Sequence, residues 1–226
     1  MKRAIVLLSG GLDSAVTLYY AKNLGYKITC LSFDYSQRHQ KEIKLAKRLA
    51  GLAGAAHIVL KVKFPARSSS LIDKKRRLPK RGLSKIKEAG IPSTYVPARN
   101  IIFLSYALCY AEVLSADSIF IGVNSVDYSG YPDCRPDFLK AFSRMSALGT
   151  RRGVTGRMVK IKTPLSRKSK GEIVKLGRRL KVPFKYTWSC YEGARYPCGA
   201  CDSCRLRSRG FSEAGLDDPL SIKTDR

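Results

Sequence analysis

Negative charge is scarce in this 226-residue chain. Its 17 aspartates and glutamates stand against 43 lysines and arginines, a formal net charge of +26, and such a field attracts anionic small substrates and polyanions alike. Long apolar runs are missing too. The run behind the basic Met1-Lys2-Arg3 is only Ala4 to Leu8 and stops at Gly10-Gly11, so no signal peptide or membrane span is expected there. No segment repeats and none is of low complexity. There is no glycine-rich loop ending in Gly-Lys-Ser/Thr and no Gly-x-Gly-x-x-Gly, which sets aside the two commonest nucleotide fingerprints. The seven cysteines do not read as a disulfide framework, because Cys198, Cys201 and Cys204 crowd into seven residues. That spacing suits a metal and a reducing cytoplasm.

What is present is an alternation of β-branched runs with helical patterns, which predicts an α/β fold: an open, mostly parallel sheet with helices on both faces. Strands are expected at Ala4 to Leu8, Lys27 to Phe33, His57 to Val62, Ser118 to Val123 and Met158 to Ile161. Helices are expected at Asp13 to Leu24, closed by Gly25, and at Gln40 to Leu52, Ile101 to Leu114 and Asp137 to Leu148. Ile101 to Leu114 is apolar nearly all round and reads as buried. Ser169-Lys170-Gly171-Glu172 is a capping box opening one more helix. The expected organisation is an α/β domain over 1–186, with 61–91 as an exposed, mobile basic insertion, followed by a small metal-binding segment over 187–226 packed on it. In such a sheet a ligand binds at the carboxyl ends of the strands, beside the point where strand order reverses.

The most informative local feature is Ser9-Gly10-Gly11-Leu12-Asp13-Ser14, a turn between the first strand and the first helix. Two glycines bring bare backbone close to an anion, and the helix behind them presents N–H groups and a positive dipole end. Ser9 and Ser14 add hydroxyls, and Asp13 supplies a carboxylate for Mg²⁺ between phosphate oxygens. This turn resembles the SGGxDS pyrophosphate loop (PP-loop) of ATP pyrophosphatases. By that resemblance, Leu8, Ser9, Gly10, Gly11, Leu12, Asp13, Ser14, Ala15, Val16, Thr17 and Leu18 form the ATP-binding segment.

Cys190, Cys198, Cys201 and Cys204 offer four thiolates within fifteen residues, enough for a closed, structural, tetrahedral Zn²⁺ site. An iron–sulfur cluster is the alternative. Cys30 and Cys109 read as core residues, and Cys134 lies in a polar loop. Between two prolines, Asp133 and Arg135 present opposite charges, suited either to reading a guanine-like edge and a carboxylate or to pairing and capping locally.

Tyr35-Ser36-Gln37-Arg38-His39, Tyr95-Val96-Pro97-Ala98-Arg99-Asn100, Tyr131-Pro132-Asp133-Cys134-Arg135-Pro136, Thr187-Trp188-Ser189-Cys190-Tyr191 and the closing cysteine motif together resemble the 7-cyano-7-deazaguanine (preQ0) synthase family. The likeness runs from Ala4 to about Pro219; Ser36 stands where the family usually has glycine. The resemblance implies a ligase that converts 7-carboxy-7-deazaguanine and ammonia to the nitrile preQ0 with ATP and Mg²⁺, serving queuosine or archaeosine synthesis. It implies structural zinc on the four cysteines, a cytoplasmic location and a homodimer. Asp13 and Ser14 would hold Mg²⁺ and phosphate. Arg99 and Lys170 are phosphate or adenylate partners, or else a surface ion pair and a first-turn lysine. Asp133 and Arg135 would read the substrate, and His39 faces the site or is structural, as His57 is. The alternative is a PP-loop tRNA sulfurtransferase; a noncatalytic zinc-containing RNA-binding protein is a third reading. A nucleic-acid partner is open but not favoured, because charge outside 61–91 is dispersed.

Overall fold

The computed structural model describes residues 1–38, 40–88, 90–124 and 130–221. Five strands form one sheet: β1 (Arg3–Leu7), β2 (Lys27–Asp34), β3 (Ala56–Lys61), β4 (Ser118–Phe120) and β5 (Lys160–Lys162). Their order is β3-β2-β1-β4-β5, and all four pairings are parallel. The helices are α1 (Leu12–Asn23), α2 (Lys41–Ala53), α3 (Leu83–Glu88), α4 (Arg99–Val113), α5 (Pro136–Gly149), α6 (Arg151–Val154), α7 (Lys170–Arg179) and α8 (Asp202–Ala214).

Side chains alternate across β1, and each set finds its own layer. Ile5 and Leu7 pack with Leu104, Ala107 and Ala111 of α4 and with Leu139 and Phe142 of α5. Val6 and Leu8 pack with Val16 and Leu18 of α1, Leu49 of α2 and Ile173 of α7. Both faces are therefore covered, as a parallel sheet requires. Strand order reverses between β1, which continues to β2, and β4 on its other side, so the loops after β1 and β4 diverge and leave a crevice at their carboxyl ends.

Two expectations fail. Residues 61–91 are not exposed throughout: Ser69, Ser70, Leu71 and Leu78 are buried, and Ser70 N–H donates to Ser93 O at 2.8 Å. Arg81 clamps the Asp202 carboxylate through its backbone N–H, Nε and a terminal nitrogen at 2.7–2.8 Å, which pins the segment to the start of α8. Nor is α4 buried all round. Ile101, Tyr106 and Val113 are 41%, 41% and 77% exposed, and Cys109 lies exposed on the same helix; only the face toward β1 and β4 is covered.

The chain beyond 186 folds back along the domain. Gly210 lets α8 approach α7 so closely that a Cβ there would stand 2.9 Å from the Lys170 Cβ. Arg207, 5% exposed, forks onto Asp218 at 2.7 and 2.9 Å and reaches Thr187 Oγ1 at 2.8 Å. Asp218→Asn preserves shape but removes the charge facing a buried guanidinium. It is expected to cost about 2 kcal/mol in urea unfolding; an unchanged midpoint would mean that the fork adds no stability.

Candidate active site and metal centre

The loop after β1 is shaped by hydrogen bonds among its own small residues. Ser9 N–H donates to Ser14 Oγ (3.2 Å), the two hydroxyls meet at 3.0 Å, Gly11 N–H donates to Ser9 Oγ (3.1 Å), and Ser14 Oγ donates to Gly11 O (3.0 Å). Gly10 has φ +89, a region open to glycine. The first turn of α1 leaves backbone N–H groups to be satisfied from outside the helix, and together with its dipole this suits an anion.

The loop forms one wall of a cleft of about 290 Å³ at the strand ends. Across it stands Lys170, at the start of α7, where Ser169 and Glu172 complete the expected capping box. Lys170 Nζ lies 2.5 Å from Asp13 Oδ2, which also accepts from Asn124 Nδ2 at 3.2 Å. The other carboxylate oxygen, Asp13 Oδ1, is buried without a hydrogen-bond partner. A buried carboxylate oxygen left open is costly unless a cation or donor joins it. The donor set here, a carboxylate with an open oxygen beside the N-terminus of α1, fits Mg²⁺.

Farther from the loop the cleft turns aromatic. Phe33 and Phe103 stack on each other with centroids 3.8 Å apart and planes within 5°, and Tyr35, Leu71 and Tyr131 line the cleft with them. Arg99 enters this region. Burial opposes its charge, but Tyr35, Tyr131, Cys134 and Asp133 more than offset burial and hold it above its ordinary range, a fixed positive charge in a low-dielectric wall.

Cys190, Cys198, Cys201 and Cys204 have sulfurs all within 4.8 Å of one another, with Cys198 and Cys204 at 4.0 Å. Tetrahedral thiolates about 2.3 Å from one ion stand ~3.8 Å apart, close to what is seen. In a cubane cluster each thiolate binds a different iron, which spreads the sulfurs wider. The geometry therefore suits a single ion. The Cys190 thiol is held well below its usual range by hydrogen bonds from Cys201 and Cys204.

With this geometry in view, comparison decides the family. The profile described as "Queuosine biosynthesis protein QueC" matches residues 3–215. The chain belongs to the QueC family. It is similar to the 7-cyano-7-deazaguanine synthase of Anaeromyxobacter sp. (strain Fw109-5), 51% identical over 221 residues, covering 96% of this chain and 95% of that protein. It is similar also to the protein of that name from Trichodesmium erythraeum (strain IMS101), 51% identical over 224 residues, covering 96% and 99%.

In this QueC chain, the sequence-read residues divide. Leu8, Ser9, Gly11, Leu12, Asp13, Ser14, Arg99 and Lys170 line the cleft. Gly10 turns the loop against α2, where a Cβ would meet Glu42 O at 2.3 Å. Ala15, Val16, Thr17 and Leu18 are 0% exposed and have no surface on the cleft; they anchor α1, Thr17 by donating to Asp13 O at 2.9 Å. Asp133, 4% exposed, accepts the Asn100 N–H of α4 at 2.8 Å, so its carboxylate is engaged by a helix start and does not line the cleft. Arg135 is exposed at the start of α5, also away from it. Among the described residues of that loop, Tyr131 and Cys134 line the cleft.

His39, Asp127, Tyr128 and Ser129 lie outside the described residues. His57 does not line the cleft: Ser32 Oγ donates to Leu8 O and meets His57 Nε2 at 2.7 Å, linking β2 and β3 with the end of β1. Burial, with Lys47 nearby, lowers the pKa of that ring. Ser36 adopts φ +59, the left-handed region that favours glycine, and its N–H donates to Asp34 Oδ1 at 3.1 Å.

Proposed function

We propose that this chain is an ATP-dependent carbon–nitrogen ligase that turns 7-carboxy-7-deazaguanine and ammonia into 7-cyano-7-deazaguanine. The observation that carries the reading is the meeting, in one cleft of a QueC protein, of a phosphate loop, the open Asp13 Oδ1, Lys170 and an aromatic lining.

A carboxylate resists ammonia because its oxygen is a poor leaving group. Its oxygen attacks the α-phosphorus of ATP, pyrophosphate departs, and the acyl-adenylate forms. Ammonia attacks the acyl carbon and AMP leaves, giving the amide. The amide oxygen attacks a second ATP in the same way; loss of AMP and of the nitrogen-bound protons leaves the carbon–nitrogen triple bond. The loop and α1 hold the triphosphate, Lys170 and Arg99 stabilise charge on the transferring phosphate, and the aromatic lining of Phe33, Tyr35, Phe103 and Tyr131 orients the flat base. Asp13 would hold Mg²⁺, which would supply charge neutralisation for the phosphates. Cys190, Cys198, Cys201 and Cys204 would hold a zinc ion in a structural role, since four thiolates satisfy it.

Mass spectrometry of a reaction with ATP, Mg²⁺, ammonium and 7-carboxy-7-deazaguanine tests the reading. The expected products are the nitrile with two AMP and two pyrophosphate per base; folded, zinc-loaded protein that leaves the base unchanged would overturn it.

None of the seven cysteines is in a disulfide, consistent with a reducing, cytoplasmic setting. No helix among the described residues is long and apolar enough to cross a membrane. The exposed stripe of Ile101, Tyr106 and Val113 on α4 supports a homodimer formed by burying it against a second copy. Val113→Arg is expected to shift the protein to monomer in light scattering; a wild-type protein that is already monomeric would remove this part of the proposal.

A further inference from the structure

The single tryptophan of the chain stands between the phosphate loop and the metal centre. Trp188 N–H donates to Gly10 O at 2.9 Å. Its indole Nε1–H donates to Cys190 O, also at 2.9 Å. The Trp188 carbonyl faces Gly11, where a Cβ would stand 3.5 Å away. The side chain is 2% exposed and packs with Cys190, Cys201 and Cys204. Lys41 Nζ sits 4.0 Å above the ring and donates to Arg195 O at 2.8 Å, tying α2 to the chain between Cys190 and Cys198. The loop's own hydrogen bonds run among Ser9, Gly11 and Ser14; the bond to Trp188 fixes them to a neighbouring element.

We propose that the four-cysteine metal centre positions the ATP loop, with Trp188 as the positioning residue through which it acts. A bound ion fixes the Cys190 backbone; Cys190 O holds the indole; the Trp188 N–H then holds Gly10. Metal occupancy thereby sets the affinity for the triphosphate as well as the stability of the C-terminal segment. This rests on the reading of Ser9 to Ser14 as the ATP loop, which is tested apart by ATP binding to the metal-loaded wild-type protein: no binding there refutes that reading whatever Trp188 does.

The test compares metal-loaded W188F with wild type. Phenylalanine keeps an aromatic face under Lys41 but leaves the Cys190 carbonyl without its donor. The expected result is full metal content, about fivefold higher KM for ATP with kcat changed less than about twofold, and faster hydrogen exchange of the amides over 9–14. Wild-type KM and exchange in a metal-loaded variant would overturn the proposal. Should W188F fold poorly or lose metal, chelation of the wild-type protein decides. Exchange over 9–14 that rises together with 190–204, while β1 and β2 stay protected, supports the coupling. Unchanged protection of the loop, or opening of the whole sheet together, overturns it.

Discussion

Asp13→Asn is expected to lower kcat/KM for ATP by about 10²- to 10³-fold while leaving the thermal midpoint within a few degrees, an effect of the size seen when one preorganised electrostatic partner of a transition state is removed. Asparagine has almost the same shape as aspartate, so sterics do not drive the change; polarity does. Asp13 Oδ2 faces two donors, Lys170 Nζ at 2.5 Å and Asn124 Nδ2 at 3.2 Å. An asparagine amide in this place has one oxygen, and those two donors claim it. Its NH₂ group is then turned to the position of the present Oδ1, the buried atom without a partner. A donor then stands where the proposed Mg²⁺ would need an acceptor, and the negative charge of the site falls by one. Steady-state kinetics over a Mg²⁺ titration check this. A variant within about threefold of wild type at all Mg²⁺ concentrations would mean that Asp13 serves only to hold Lys170.

Lys170→Ala separates these roles. It leaves the carboxylate intact, with Asn124 still donating, so under the proposed roles cation binding is expected to persist and the loss to be confined to charge stabilisation on phosphate. Its effect on kcat/KM is therefore smaller than that of Asp13→Asn.

Much of the sheet can be read from local pattern because β-branched runs and capping signals are local causes. Strands expected at Ala4 to Leu8 and Lys27 to Phe33 form at Arg3–Leu7 and Lys27–Asp34, and the capping box at Ser169 forms as its spacing requires. Other features depend on partners distant in sequence. The 61–91 stretch reads as exposed because its charges are dense, yet its fold is set by Arg81 meeting Asp202, 121 residues away. Helix α8 carries a mid-helix glycine and few apolar residues, a weak helical signal; what holds it is the contact of Gly210 with Lys170 and the Arg207 fork.

The candidate site divides on the same principle. Ser9 to Ser14 is one continuous segment between a strand and a helix, so its geometry is largely local. Asp133 is different. Its charge and stiff flanks suit ligand reading and capping equally, and the α4 N-terminus that it engages lies 33 residues upstream, a pairing visible only after folding. The outward stripe of α4 was hidden for a related reason: apolar residues around a helix do not say which of its sides the protein itself covers.

Gly10→Ala is the substitution that bears most directly on the loop, and Gly25→Ala is its control. Both glycines have positive φ, +89 and +75, so both alanines carry the strain of that conformation, about 1–2 kcal/mol. Around Gly25 nothing lies within 4 Å of an added Cβ, and the cost ends there. At Gly10 the Cβ falls 2.3 Å from Glu42 O, 3.0 Å from Glu42 C and 3.2 Å from Ala46 N. These are backbone atoms of α2, held by its hydrogen-bond ladder and by Ala46 and Leu49 in the core, and they cannot swing aside as a side chain would. Overpacking of this kind adds about 1–3 kcal/mol, so Gly10→Ala is expected to destabilise by about 2–5 kcal/mol in urea unfolding. Relief by moving the loop displaces Gly10 O from Trp188 N–H and spoils the phosphate geometry, so ATP affinity falls as well, whereas Gly25→Ala leaves it unchanged. Equal destabilisation by the two alanines would show that α2 yields to the loop and that its backbone does not define the cradle.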